Sequence, residues 1–230
     1  AGARPVLVDV CDDYTIDLDD LARKARSSGA KTLLLSHMRG HITDMQAVRD
    51  ICDAHGVSVV EDCAHTMGAS WDGRFTGTWG KIGCFSTQTY KHINSGEGGF
   101  LISDDAALMA RAVLLSGSYM LYAKHRAAPP PEAFEAVRMV TPNVSGRMDN
   151  LRAAILRPQV AGLATQCARW NDRYYALEAG LRDTPGLTVI ERPSQETIVG
   201  SSIQFLLLDW AAAAVQDVVA RCGARGVELK

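Results

Sequence analysis

The sequence lacks the spacings that mark metal sites and disulfide frameworks. Its cysteines, Cys11, Cys52, Cys63, Cys84, Cys167 and Cys222, form no Cys-x-x-Cys pair and no histidine-flanked set, so no metal ligand is expected among them. Cys52, Cys63 and Cys84 sit among apolar residues and read as reduced core thiols of a cytoplasmic protein. No apolar run approaches the length that crosses a bilayer, and no signal peptide is expected. An excess of one charge is missing too. The formal net charge is -2 and the basic residues are scattered, which argues against nucleic acid or an anionic membrane surface as partner.

What is present is ordinary globular composition: 230 residues, 47% of them hydrophobic, enough for one large domain or one and a half. The chain opens at Ala1-Gly2-Ala3-Arg4-Pro5 and stops abruptly at Lys230, and the expectation is a fragment of a longer chain. The run Pro5 to Val10 has the pattern of a strand buried on both faces. A helix is predicted from Asp17 to about Ser27, with acids at its positive end and Gly29 behind it. Thr32 to Leu35 reads as a second buried strand. Thr43 is a plausible N-cap for a helix to His55, with Met45, Val48, Ile51 and Cys52 on its apolar face. Val57 to Val60 is a third strand. This alternation predicts an α/β fold with a mostly parallel sheet.

Further along, Lys81 to Ser86 and Gly99 to Ser103 read as strands and Asp104 to Leu115 as a helix. Residues 117–141 are long and irregular, with Pro129-Pro130-Pro131, and such loops are usually functional or interfacial. Tyr119, Tyr122, Lys124, His125 and Arg126 could recognise a sugar or phosphates, and a dimer interface is the preferred reading. From Met148 to Leu181 the pattern is helical, with an interruption at Pro158. Thr188 to Ile190 and Ile203 to Leu208 look like strands, and a helix starts at Ala211–Ala214. Residues 1–147 are expected to form most of a large domain. Residues 148–230 would supply connecting helices and the beginning of a small C-terminal α/β domain.

Ligands of parallel α/β sheets bind beyond the carboxyl ends of the strands. There the third strand delivers Glu61, Asp62 and then His65. A surface acid pair with a satisfied histidine and a site residue are about equally good readings of that run. A second segment, Gly83 to Gly99, ends a strand in a hydroxyl-rich turn, offers a single lysine, Lys91, and continues into glycines. Hydroxyls and free backbone N–H groups suit a phosphate, and a desolvated lysine suits a Schiff base. Read alone, a solvated loop with an exposed Lys91 is the better account.

Together, however, these segments resemble the signature region of the DegT/DnrJ/StrS-type aminotransferases, a branch of the fold-type-I pyridoxal-phosphate enzymes. The matching blocks are Glu61 to Ala69, Gly73 to Gly77, Phe85-Ser86, Lys91 and Gly96 to Gly99. Asp9, Ile16-Asp17 and Gly40 to Met45 match upstream. Asn143 to Met148 with Ala153-Ala154-Ile155 matches downstream. In order and spacing the likeness covers nearly the whole chain. The family's N-terminal phosphate-binding turn and its stacking aromatic would precede Ala1. Gln88-Thr89-Tyr90 stands where an aromatic-Pro-Thr run is usual, and Ser36-His37-Met38-Arg39 where His-Leu-Tyr is common.

The resemblance implies pyridoxal 5'-phosphate as cofactor, with Lys91 as its Schiff-base lysine and proton shuttle. Asp62 would pair with the ring nitrogen, His65 would stand beside the phenolic oxygen and Ser86 would bind the phosphate. Asn143 would reach the phosphate of a partner subunit, which implies a homodimer with shared sites. Glu61 would be structural. The implied reaction moves an amino group from glutamate or glutamine to a keto group of a nucleotide-linked sugar or a cyclitol. Related dehydratases replace the lysine by histidine, and Lys91 is retained here beside His92, which favours transamination. The alternatives are a decarboxylation or elimination on the same cofactor, or a non-catalytic binding relative.

Overall fold

A computed structural model of the chain describes residues 2–117, 122–124 and 126–229. In chain order its elements are α1 (Leu18–Ser27), β1 (Thr32–Ser36), α2 (Met45–Ala54), β2 (Ser58–Asp62), β3 (Ser70–Trp71), β4 (Arg74–Phe75), β5 (Ile82–Ser86) and β6 (Gly99–Ile102). There follow α3 (Ala106–Ser116), α4 (Glu132–Glu135), α5 (Asn150–Arg182), β7 (Leu187–Val189), β8 (Glu196–Thr197), β9 (Phe205–Leu207) and α6 (Ala212–Gly223). The main sheet runs β1-β2-β5-β6. Its first three strands are parallel, with Ser36, Asp62 and Cys84 in register, and β6 returns antiparallel to β5. The mostly parallel α/β sheet is therefore present.

Local chemistry sets the helices. Asp17 caps α1 by accepting from the N–H groups of Asp19 and Asp20. The cap of α2 is Asp44, whose carboxylate accepts from Ala47 N, and not Thr43. Thr43 is buried, whereas Asp44 stays exposed with its charge at the helix's positive end. Met45, Val48 and Cys52 are fully buried and pack with Leu21, Leu33 and Val59 beneath the sheet. Sealing each of the larger side chains contributes roughly 1.5–3 kcal/mol.

Several expectations are corrected. Pro5 to Val10 forms no strand: the Asp9 N–H donates to the Asp20 carboxylate, and its carbonyl accepts from Asp17 N. Among the described residues only an isolated bridge from Val10 to Ile16 remains, so the run finds no strands to bury it. β1 is not buried on both faces. Leu33 and Leu35 point inward and Leu34 is 70% exposed, because β1 is an edge of the sheet and the helices cover one side. Pro158 does not interrupt α5, which continues to Arg182. Pro158 and Ala154, whose carbonyl loses its usual donor, are both exposed, so water can serve that carbonyl.

Tyr122 is buried and stacks on Phe134 with ring centroids 4.2 Å apart, so it packs a local core with α3 rather than an interface. Lys124 and Arg126 are exposed, and Tyr119 and His125 lie outside the described residues. The sequence reading also missed the β3–β4 hairpin, whose turn is Asp72-Gly73, both with positive φ. An Asp-Gly pair is a recognised signal for that turn.

Gly83 shows how tightly the sheet meets the loop that precedes β5. A Cβ there would lie 2.4 Å from both Cα and the carbonyl oxygen of Gly77. Gly83→Ala is expected to destabilise the fold by about 1–3 kcal/mol, read as a lower urea midpoint; an unchanged midpoint contradicts this packing.

Candidate active site

Pleating separates the two carboxylates at the end of β2. Glu61 turns inward and is fully buried, while Asp62 emerges on the opposite face. Glu61 accepts from Gly77 N at 2.8 Å and Gly80 N at 2.5 Å, and His37 Nε2–H donates to it at 3.2 Å. Burial alone would raise its pKa, but these three donors outweigh it and hold the carboxyl below its ordinary value. His37, Glu61 and Cys63 bring three possible ligand atoms within 4.8 Å of one another. The carboxylate is already occupied by donors, and burial pushes the Cys63 thiol up to about 12, so the cluster reads as a satisfied hydrogen-bonded core.

Asp62 is held on the open face by two contacts. Its Oδ2 accepts from Ser36 Oγ at 3.0 Å, the cross-strand neighbour in β1, and its Oδ1 accepts from Ala64 N at 3.0 Å. The second bond folds the chain directly after the strand and carries His65 around to Lys91, whose Nζ lies 3.3 Å from His65 Nε2. Burial, then the charges of Lys91 and Arg39, lower the His65 pKa. The imidazole is thus neutral near pH 7. With an ammonium as donor, Nε2 accepts and the proton sits on Nδ1.

Lys91 stands in the loop between β5 and β6, and that loop is closed by its backbone. Thr87 N donates to Gly98 O, Ser95 N to Thr87 O, and Thr89 N to Gly96 O. Ile93 is buried against Met67 and Leu156. Gln159 of α5 clasps the backbone of Asn94 through both its N–H and its carbonyl, at 3.0 and 2.8 Å. His92 lies 3.1 Å from Ser201 Oγ and meets the edge of Trp170. Tyr90, one residue before the lysine, is 90% exposed, so the loop selects which side chain turns inward.

Of the residues expected from sequence, the structure brings Lys91 and His65 into contact, beside Asp62. Ser86 ends β5, two residues beyond Cys84 and so on the same face as Asp62. Its Oγ accepts from Gln88 N at 3.2 Å. Asn143 is exposed, and its Oδ1 accepts from Ser145 N within its own loop. Ser36, Gln159 and Ser201 were missed as supports, and they come from distant segments with no local signal. A cavity of about 470 Å³ lies elsewhere, lined by Asp17, His41, Asp44, Trp71 and Glu196 among others. None of the expected site residues lines it.

The DegT/DnrJ/EryC1/StrS aminotransferase family profile matches residues 1–229. The chain is similar to L-glutamine:2-deoxy-scyllo-inosose aminotransferase of Streptomyces kanamyceticus, 32% identical over 85% of this chain and 44% of the relative. It is similar to dTDP-3-amino-3,4,6-trideoxy-alpha-D-glucose transaminase of Micromonospora megalomicea subsp. nigra, 35% identical over 81% of this chain and 48% of that one. The chain thus spans about half the length of these curated relatives. Among solved structures, the aminotransferase TlmJ from Streptoalloteichus hindustanus superposes with a TM-score of 0.81 at 25% identity, over 99% of this chain and 58% of that one.

Two histidines, His92 buried and His41 half-buried, tie this region to the C-terminal segment, His92 to Ser201 and His41 to Gln204 at 3.0 Å. Burial lowers both from 6.5 to about 4, helped at His92 by His65 once that ring is protonated in acid and by Lys91, and at His41 by Arg192. As pH falls below 6.5 the unfolded chain takes up these protons first, so stability declines between about 6.5 and about 4. His92→Gln should make that decline shallower in denaturant titrations at pH 7 and pH 4.5; an identical decline contradicts the assignment.

Proposed function

Because the chain belongs to the DegT/DnrJ/EryC1/StrS aminotransferase family, we propose that it is most of a pyridoxal-phosphate-dependent aminotransferase subunit with Lys91 as the cofactor-holding lysine. Its acceptor is a keto group on a cyclitol or a nucleotide-linked sugar, and its donor is glutamine or glutamate. The relatives support both acceptor classes, since one is named for an inosose and the other for a dTDP-linked sugar. In this reading residues 1–147 are the bulk of the cofactor-binding domain, and 148–230 begin the smaller one. The protein works in the cytoplasm as a homodimer.

One observation carries the proposal: a half-buried lysine amine 3.3 Å from a histidine, beside a carboxylate at the open end of a parallel sheet. That donor set fits the cofactor. It offers one amine for an aldehyde, one carboxylate for a protonated ring nitrogen, and hydroxyls for a phosphate. When bound, pyridoxal 5'-phosphate supplies the aldehyde and a ring that takes up the electron pair left by proton removal.

The residues of this chain do the rest. Asp62 would hold the ring nitrogen in its protonated form, with Ser36 Oγ and Ala64 N fixing the direction of its carboxylate. His65, kept neutral by burial and by the Lys91 and Arg39 charges, would flank the ring without adding a positive charge. Ser86 Oγ would bind the phosphate. Lys91 Nζ would hold the cofactor, then carry the proton away from the substrate carbon and deliver it back. Asn143, exposed here, would serve the phosphate site of a second copy of the chain.

The purified protein should show the visible absorbance of a lysine-bound pyridoxal cofactor, lost on borohydride reduction and never formed in Lys91→Ala. Amino transfer in that variant should fall by about 10²–10⁴-fold or more. Wild-type kinetics should be ping-pong, with the amino form of the cofactor accumulating when only donor is present. A wild-type protein that binds no cofactor contradicts the proposal.

A further inference from the structure

The turn that follows β1, residues 37–40, is packed against the site and pinned at nearly every backbone position. His37 N donates to Asp62 O at 3.1 Å, and the His37 ring is sealed against Glu61. Gly40 lies so close to His65 that a Cβ there would come within 3.2 Å of the His65 carbonyl. From the other side, Arg192 donates to Gly40 O at 2.7 Å. Between these anchors Arg39 sits in the left-handed region, at φ 56 and ψ 17. That conformation disfavours a long side chain and favours glycine.

Backbone strain of this kind gathers at functional sites, where the surroundings over-determine it. Arg39 carries the only charge on the turn's exposed side. Among the described residues its guanidinium has no hydrogen-bond or ion-pair partner. Neither carboxylate at the end of β2 pairs with it. Glu61 is sealed inside with three donors, and both oxygens of Asp62 are engaged by Ser36 and Ala64. A rigid, strained position thus holds a planar five-donor cation beside His65, with its recognition geometry unspent. A guanidinium matches a carboxylate or phosphate through paired N–H donors.

We propose that Arg39 recognises an anionic group of the substrate, either the α-carboxylate of the amino donor or the phosphate of a nucleotide-linked amine. This rests on the cofactor reading above and adds a specificity-determining residue to it. The effect of the Arg39 charge in lowering the His65 pKa agrees with its standing at the mouth of the site. Its neighbour Met38, 56% exposed, offers no such group.

The test uses the holoenzyme as wild type, Arg39→Gly and Arg39→Lys. Glycine removes the guanidinium and suits the observed φ, so its thermal midpoint should equal or exceed that of the wild type. Loss of the lysine-bound band is followed against L-glutamine, L-glutamate, a nucleoside-diphosphate amino sugar and a phosphate-free aminocyclitol. Arg39→Gly should need about 10–100-fold more of the anion-bearing amine, with no such shift for the phosphate-free aminocyclitol. Lysine should restore part of the loss, as a point charge without the paired geometry.

A shift for glutamine and glutamate identifies the donor carboxylate, and a shift confined to the nucleotide sugar identifies its phosphate. A uniform shift for all four amines, or none, overturns the inference while the band itself stays normal. If the wild type never forms the band, the cofactor reading fails and Arg39 loses its role with it.

Discussion

The end of β2 places two carboxylates one residue apart, and the pleat of the strand sends them to opposite sides of the sheet. The inner one, Glu61, gathers the N–H groups of Gly77 and Gly80 and the ring of His37. It thereby fixes both the loop before β5 and the turn after β1. The outer one, Asp62, is left on the open face with its direction set by Ser36 and Ala64. A shift of one residue in the pairing of β2 would exchange them, burying Asp62 and exposing Glu61. The register of Ser36, Asp62 and Cys84 is therefore the constraint beneath the candidate site.

A second constraint aims the lysine. Lys91 lies on a loop, where side chains are ordinarily free to move, yet this loop is tied on several sides. Its base is laced by backbone bonds between 87–89 and 95–98. Its far side is held by α5 through Gln159 and Trp170, and by the C-terminal segment through Ser201. Helix α5 thus matters to the site without contributing a group to it. Its unbroken passage through Pro158 places Gln159 where it can clasp Asn94.

Much of this was legible in the sequence, and for physical reasons. The α1–β1–α2–β2 alternation shows in apolar periodicity, because one face of each element must be buried. The strand-end carboxylates and the turn before Lys91 lie where parallel sheets bind ligands. Read alone, however, the acids are as well explained as a surface pair and the turn is better explained as a solvated loop, and only the resemblance makes them a site. Separating Glu61 from Asp62 needed the resemblance first, and the structure then gave each its side of the sheet. Three local readings failed because the decisive partner lay elsewhere in the chain. Asp20 takes up the backbone of Asp9 where a strand was expected, Thr43 is drawn into the core so that Asp44 caps α2, and Tyr122 finds Phe134. The anchors of the lysine loop are separated from it by as many as 109 residues, and no local pattern could have named them.

The account stands on a covalent bond at one amine. Borohydride reduction of the purified protein, proteolysis and peptide mass spectrometry test it directly. The phosphopyridoxyl mass should fall on the peptide containing Lys91, and not on Lys24, Lys31, Lys81, Lys124 or Lys230. Finding it on any of those others, or on none, would contradict the account.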